Sequence, residues 1–113
     1  MTIDDIRKET VKPALVADEN GLIVFVNGVF EKSFGWTIKD LLGQPLTVIM
    51  PPAFRTQHHL GFSRFLTTGQ STIMGKSLNL KVLTKDGREI DSEHFIIAGK
   101  EKGRWVFGAT ITA

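Results

Sequence analysis

A chain of 113 residues is the size of one domain and can bury a single core. Its 42% hydrophobic and 23% charged residues are ordinary globular composition, which argues against disorder and against a membrane-embedded chain. The net charge of +2 is small and carried by scattered basic residues, with no aromatic–basic stripe to suit nucleic acid, and the lack of cysteine excludes disulfides, thiolate metal sites and cysteine catalysis.

The first residues, Met1-Thr-Ile-Asp-Asp-Ile6, lack a basic-then-apolar signal pattern, and no apolar run is long enough to span a bilayer. A cytoplasmic location with no membrane contact by this segment is expected. Thr2-Ile-Asp-Asp5 has the form of a helix start, so a flanking helix is expected in residues 1–11, within 2–10 and ended by Pro13. Ala14–Ala17 and Leu22–Val26 read as strands of a hairpin around Asp18-Glu-Asn-Gly21. From Asn27 the period becomes helical, with Val29, Phe30, Phe34 and Trp36 spaced for a buried face and Gly35 breaking it. Thr37-Ile-Lys-Asp40 opens a brief helix ending at Gly43, and Leu46–Met50 reads as one more turn before Pro51-Pro52.

Residues 53–68 place Phe54, His58, Phe62 and Phe65 at steps of four, four and three, one stripe of a longer helix that Gly69 terminates. Three strands follow, Ser77–Thr84, Glu89–Ala98 and Arg104–Ile111, joined at Asp86-Gly87 and at residues 99–103. The fold class expected is α+β: a five-stranded antiparallel sheet with short helices on one face, plus the N-terminal helix.

Several motifs in this order resemble the PAS family: the run Asp18–Asn27, Phe34-Gly35-Trp36 followed by Leu41-Leu42-Gly43-Gln44, Met50-Pro51, Thr68-Gly69, and Lys85-Asp86-Gly87-Arg88. The resemblance covers roughly residues 12–112, so 12–113 is expected to be one PAS sensory domain. Within the family, Arg55-Thr-Gln-His58, Phe62-Ser-Arg64-Phe65 and Thr67-Thr68-Gly69 are similar to the branch that contains heme-binding oxygen sensors of bacterial sensor kinases. The resemblance implies a proximal heme ligand at His58 and a distal pocket lined at His94 and Ile96. It also places Leu78 where that branch carries an oxygen-binding arginine.

The residues themselves leave both histidines open. His58 is either a satisfied core histidine or an imidazole facing a cavity. In residues 89–98 one face is Ile90, Ser92, His94, Ile96 and Ala98, and the other carries Glu89, Asp91 and Glu93. Three carboxylates must see water, so Ser92 and His94 are expected to point inward, toward backbone partners, a buried water or a ligand. Without cysteine, a flavin–cysteine adduct and a thioester-linked chromophore are ruled out. The residues leave the cofactor unidentified; the resemblance implies heme b, with noncovalent flavin as the other option.

Candidate site residues are thus His58, as ligand of the heme iron, His94 and Ser92 opposite, and the shell Phe54, Phe62, Ile73, Leu78 and Ile96. No nucleophile–base pattern or phosphate-cradling loop is present, so no enzymatic activity is expected of the domain itself. The function expected is ligand or gas sensing relayed to an effector domain in the parent chain. The alternative is a ligand-free module for protein interaction. A homodimer is expected through Ile3 and Ile6, one turn apart on a leading helix with little surface to cover them.

Overall fold

The computed structural model describes residues 1–69 and 75–113. Its elements run α1 (Ile3–Arg7), β1 (Ala14–Asp18), β2 (Ile23–Val26), α2 (Gly28–Phe34), α3 (Ile38–Leu41), a 3₁₀ turn (Leu46–Ile49), α4 (Pro52–Thr68), β3 (Ser77–Leu83), β4 (Glu89–Glu101) and β5 (Arg104–Thr112). The strands form one antiparallel sheet in the order β2-β1-β5-β4-β3, which puts the first and last strands side by side at its centre. No helix among the described residues is long and apolar enough to cross a membrane.

Both capping boxes form. Thr2 accepts from Asp5 N–H at 3.2 Å and Thr37 from Asp40 N–H at 3.0 Å, and each aspartate accepts in return from the threonine N–H. Gly69 closes α4 in the left-handed region at φ 71°, where a Cβ would be strained. Asn27, 9% exposed, caps α2 and also ties the chain together. Its Oδ1 accepts from Ala14 and Phe30 N–H at 3.0 Å, and its Nδ2 donates to the carbonyls of Glu9 and Lys12 at 3.0 and 2.8 Å.

The sheet buries both faces, each differently. On the inner face Leu15, Ala109, Ile111 and Val82 pack with Ile23, Val26, Phe30, Phe34, Leu41 and Ile49 of β2, the short helices and the 3₁₀ turn. On the outer face α1 lies across Ala14, Val16, Ile97 and Val106. Ile3 and Ile6 are 7% and 0% exposed, which corrects the expectation that they lack cover. The sheet accommodates them at two glycines: a Cβ on Gly99 would stand 3.0 Å from Ile3 Cγ1, and one on Gly108 3.0 Å from Ile6 Cγ1. Arg7 closes the contact with a two-pronged ion pair to Glu101.

Gly99 therefore belongs to a strand, although its place in a glycine-flanked loop reads as a turn. β4 continues to Glu101, which pairs with Arg104, and the chain reverses over Lys102 and Gly103 alone, at φ 53° and 76°. Leu22 likewise falls outside β2, bridging to Pro45.

Candidate ligand site

α4 carries the expected stripe. Phe65 is buried at 5% exposure, Phe54, His58 and Phe62 are half-buried, and His59 and Leu60 face solvent. The stripe meets the sheet through rings. The Phe65 centroid lies 4.8 Å from Trp105 and 5.2 Å from Phe107, Phe62 lies 5.1 Å from Phe107, and His58 stacks 5.6 Å from Phe62. Among the described residues no α4 side chain belongs to either apolar cluster. The helix thus rests on β5 near its C-terminal end, and the inner face of β3 and β4 is left incompletely covered: Leu78, Leu80, Ile90, His94 and Ile96 are all half-buried.

The register puts those residues together. Leu78 lies opposite His94, Leu80 opposite Ser92, His94 opposite Ile111, and Ile96 opposite Ala109, so all share the inner face as the carboxylates of β4 required. Ser92, 6% exposed, and His94 point the same way two residues apart, and their Oγ and Nε2 atoms are 2.7 Å from each other. Desolvation pushes the His94 pKa down to about 4, so the imidazole is neutral near pH 7. Burial, with His59 adding to it, also lowers the pKa of His58. Neither ring nitrogen of His58 hydrogen-bonds to a described residue, which leaves a neutral imidazole with a free lone pair.

A cleft of about 600 Å³ opens where β5 ends: Phe54 of α4, Leu80 of β3 and Ser92 of β4 line it together with the polar and charged Asn79, Lys81, Asp91 and Glu93, Thr112 and Ala113 stand at its side, and neither His58 nor His94 is among its lining residues. The structure so joins Phe54 to Ser92 across one cleft, Ser92 to His94 by a hydrogen bond, and His58 to Phe62 by stacking. It does not join the two histidines, between which there is no hydrogen bond or ring contact, and Ile73 lies outside the described residues. Leu80, Phe107 and Trp105 were missed by sequence reasoning. Strand alternation with Leu78 marks Leu80, and alternation with Ala109 and Ile111 marks Phe107 and Trp105.

Among the described residues no three His, Asp or Glu side chains converge to hold a metal ion by themselves. His58 offers one bond, which suits a metal whose other positions a cofactor fills.

Comparison with known proteins agrees with this architecture. The PAS fold family profile matches residues 8–95. An uncharacterized protein of Azorhizobium caulinodans is 33% identical over 103 residues, 90% of this chain. Sensor protein FixL of Bradyrhizobium diazoefficiens is 33% identical over 61 residues, 54% of this chain. The matches span only 14% and 12% of those two relatives. The crystal structure of a PAS domain from Desulfitobacterium hafniense superposes with a TM-score of 0.75 at 18% identity, covering 96% of this chain and 97% of that one. With a family match over most of its length and the sheet order and helices of that fold, the chain belongs to the PAS family.

Proposed function

We propose that this PAS sensory domain is the input module of a longer signalling protein and takes heme b as its cofactor, anchored through His58. The observation that carries the reading is the state of His58: neutral, half-buried on the inward stripe of α4, and without a hydrogen-bond partner among the described residues. Neutral imidazole is a strong ligand for heme iron. The resemblance of residues 55–69 to the heme-binding branch supports the same position.

The inward side chains of α4 and of the inner sheet face are mostly apolar. Phe54 and Phe62 flank His58 by one helical turn on either side, and Leu78, Leu80 and Ile96 form the apolar part of one wall, the inner face of β3 and β4. Ser92 and His94 are the polar groups of that wall. Heme, when bound, supplies an iron that responds to a diatomic gas or to redox change. The residues of this chain hold it, exclude water from its faces, and pass a shift of α4 through Phe62 and Phe65 to Phe107 of the central sheet.

Hemin titrated into the purified apoprotein tests the reading. One equivalent taken up with a sharp Soret band, lost in His58→Ala, is the expected result. Failure to take up hemin stoichiometrically, or a spectrum indifferent to His58→Ala, overturns it and leaves the ligand-free interaction module.

A further inference from the structure

We infer that the segment following Ala113 in the parent chain continues β5 through the cleft beside Phe54, pairing with the edge of β4 at Asp91 and Glu89. The inference rests on the reading of this domain as the input module of a longer protein, and it adds the surface on which the onward chain docks. β3 runs beside β4 as far as Glu89, whereas β5 runs beside it only from Glu93. Residues 89–92 of β4 therefore have a neighbouring strand on one side alone.

The direction of the backbone groups defines what that edge offers. Along a strand, successive residues turn their N–H and C=O to opposite sides within the sheet. The Ile111 N–H donates to the Pro13 carbonyl at 2.9 Å, on the β1 side, so Thr112 turns its groups toward β4. In β4 the Ile96 carbonyl accepts from the Gly75 N–H at 2.8 Å, on the β3 side. His94, Ser92 and Ile90 thus face β3, while Glu93, Asp91 and Glu89 face β5 or the space beyond its end. Glu93 meets Thr112 there. Asp91 and Glu89 meet no strand, no backbone bond from a turn or loop among the described residues reaches either one, and Asp91 lines the cleft. Such an edge is a template for one more length of strand.

The chain's own continuation is placed to supply it. Ala113 stands at the side of the cleft, and with Thr112 opposite Glu93 the register sets Ala113 opposite Ser92. The first residue beyond it falls opposite Asp91 and the third opposite Glu89. The same alternation assigns their side chains. Phe107, Ala109 and Ile111 lie on the inner face, so the first added side chain falls on the outer face, beside Asn79, Lys81 and Asp91. The second falls on the inner face, against Phe54 and Leu80. A polar residue followed by an apolar one is the chemistry that fits. The onward chain then touches the first turn of α4, one turn before His58, and so couples the output segment to the helix of the candidate ligand site.

Amide hydrogen exchange tests this on residues 1–113 and on the same chain lengthened by about six residues of the parent, the usual length of a strand. Relative to the Ser92 N–H, which faces β3 in both chains, the Asp91 N–H is expected to exchange about tenfold more slowly in the longer chain. Carbon chemical shifts of the added residues should be those of a strand. Asp91→Pro, which removes that N–H, should lower the thermal midpoint of the longer chain by several degrees and leave the shorter one within error, because there the group has no partner. An Asp91 rate relative to Ser92 that is equal in the two chains, or added residues with helical shifts, overturns the inference while leaving the longer protein in place. A coding sequence that stops at Ala113 overturns the reading of an input module and this inference with it.

Discussion

Gly108 sits directly beneath Ile6, so close that a methyl group fits only if the isoleucines give way: a Cβ there would stand 3.0 Å from Ile6 Cγ1 and 3.1 Å from Ile3 Cδ1. The next residue back, Phe107, turns its ring to the other face of the sheet, against Phe62 and Phe65 of α4. Consecutive residues of β5 thus seat the two helices that flank the sheet.

Gly108→Ala should therefore displace α1. The expected loss is about 1–2 kcal/mol of unfolding free energy, the usual cost of overfilling a packed contact. Urea denaturation measures it, and the loss should shrink in an Ile6→Ala background, where the space exists. An equal loss in both backgrounds would mean that Ile6 is not the obstacle.

Asn27→Ala should be more severe. It removes two acceptor contacts at 3.0 Å to Ala14 and Phe30 N–H and two donor contacts to the carbonyls of Glu9 and Lys12. The lost cap and newly unpaired backbone groups predict about 2–4 kcal/mol of destabilisation. A midpoint within experimental error of wild type contradicts the role assigned to this side chain.

Acid should begin to weaken the fold well above the carboxylate range. His94 ionises at about 4 in the fold against an ordinary 6.5, so the unfolded chain takes its proton first. The stability from keeping His94 neutral is complete above pH 6.5 and drains away as pH falls toward 4, by roughly 3 kcal/mol in all. His58, lowered too, acts in the same direction. The lowered carboxyls act in the same direction: Asp5 and Asp86 below their ordinary 3.8, and Glu9 and Glu101 from their ordinary 4.5, at the acid end of that window. Unfolding free energies recorded from pH 7 to 4 should fall in the wild type and fall less in His94→Leu. Parallel profiles for the two proteins would refute the assignment.

Deleting residues 1–10 should promote association. α1 covers Val16, Ile97 and Val106 on the outer face, and without it that apolar surface meets water. Sedimentation should show a larger species than the full chain gives at the same concentration. A truncated chain that stays monomeric wherever the full chain does would show that α1 shields no sticky surface.

Local chemistry wrote the elements plainly. Thr2 and Thr37 with aspartates three residues on, Gly69 at the end of a helical stripe, and alternation along residues 89–98 each name a structure that backbone geometry then enforces. The inward face of β4 was legible because Glu89, Asp91 and Glu93 cannot be buried together, and that placed Ser92 and His94 in the interior before any tertiary contact was known.

Register and docking were decided only in three dimensions. A glycine reads as a turn whether it reverses the chain, as Gly103 does, or flattens a sheet under an isoleucine, as Gly99 does, because a missing side chain has the same letter in both settings. Whether Ile3 and Ile6 seek a partner or their own sheet depends on the distance from α1 to strands a hundred residues away. The same limit applies to the histidines. The pattern put His58 and His94 inside, but only folding set Nε2 of His94 against Ser92 and left His58 without a partner among the described residues, since a hydrogen bond depends on where two side chains end and not on which residues they are.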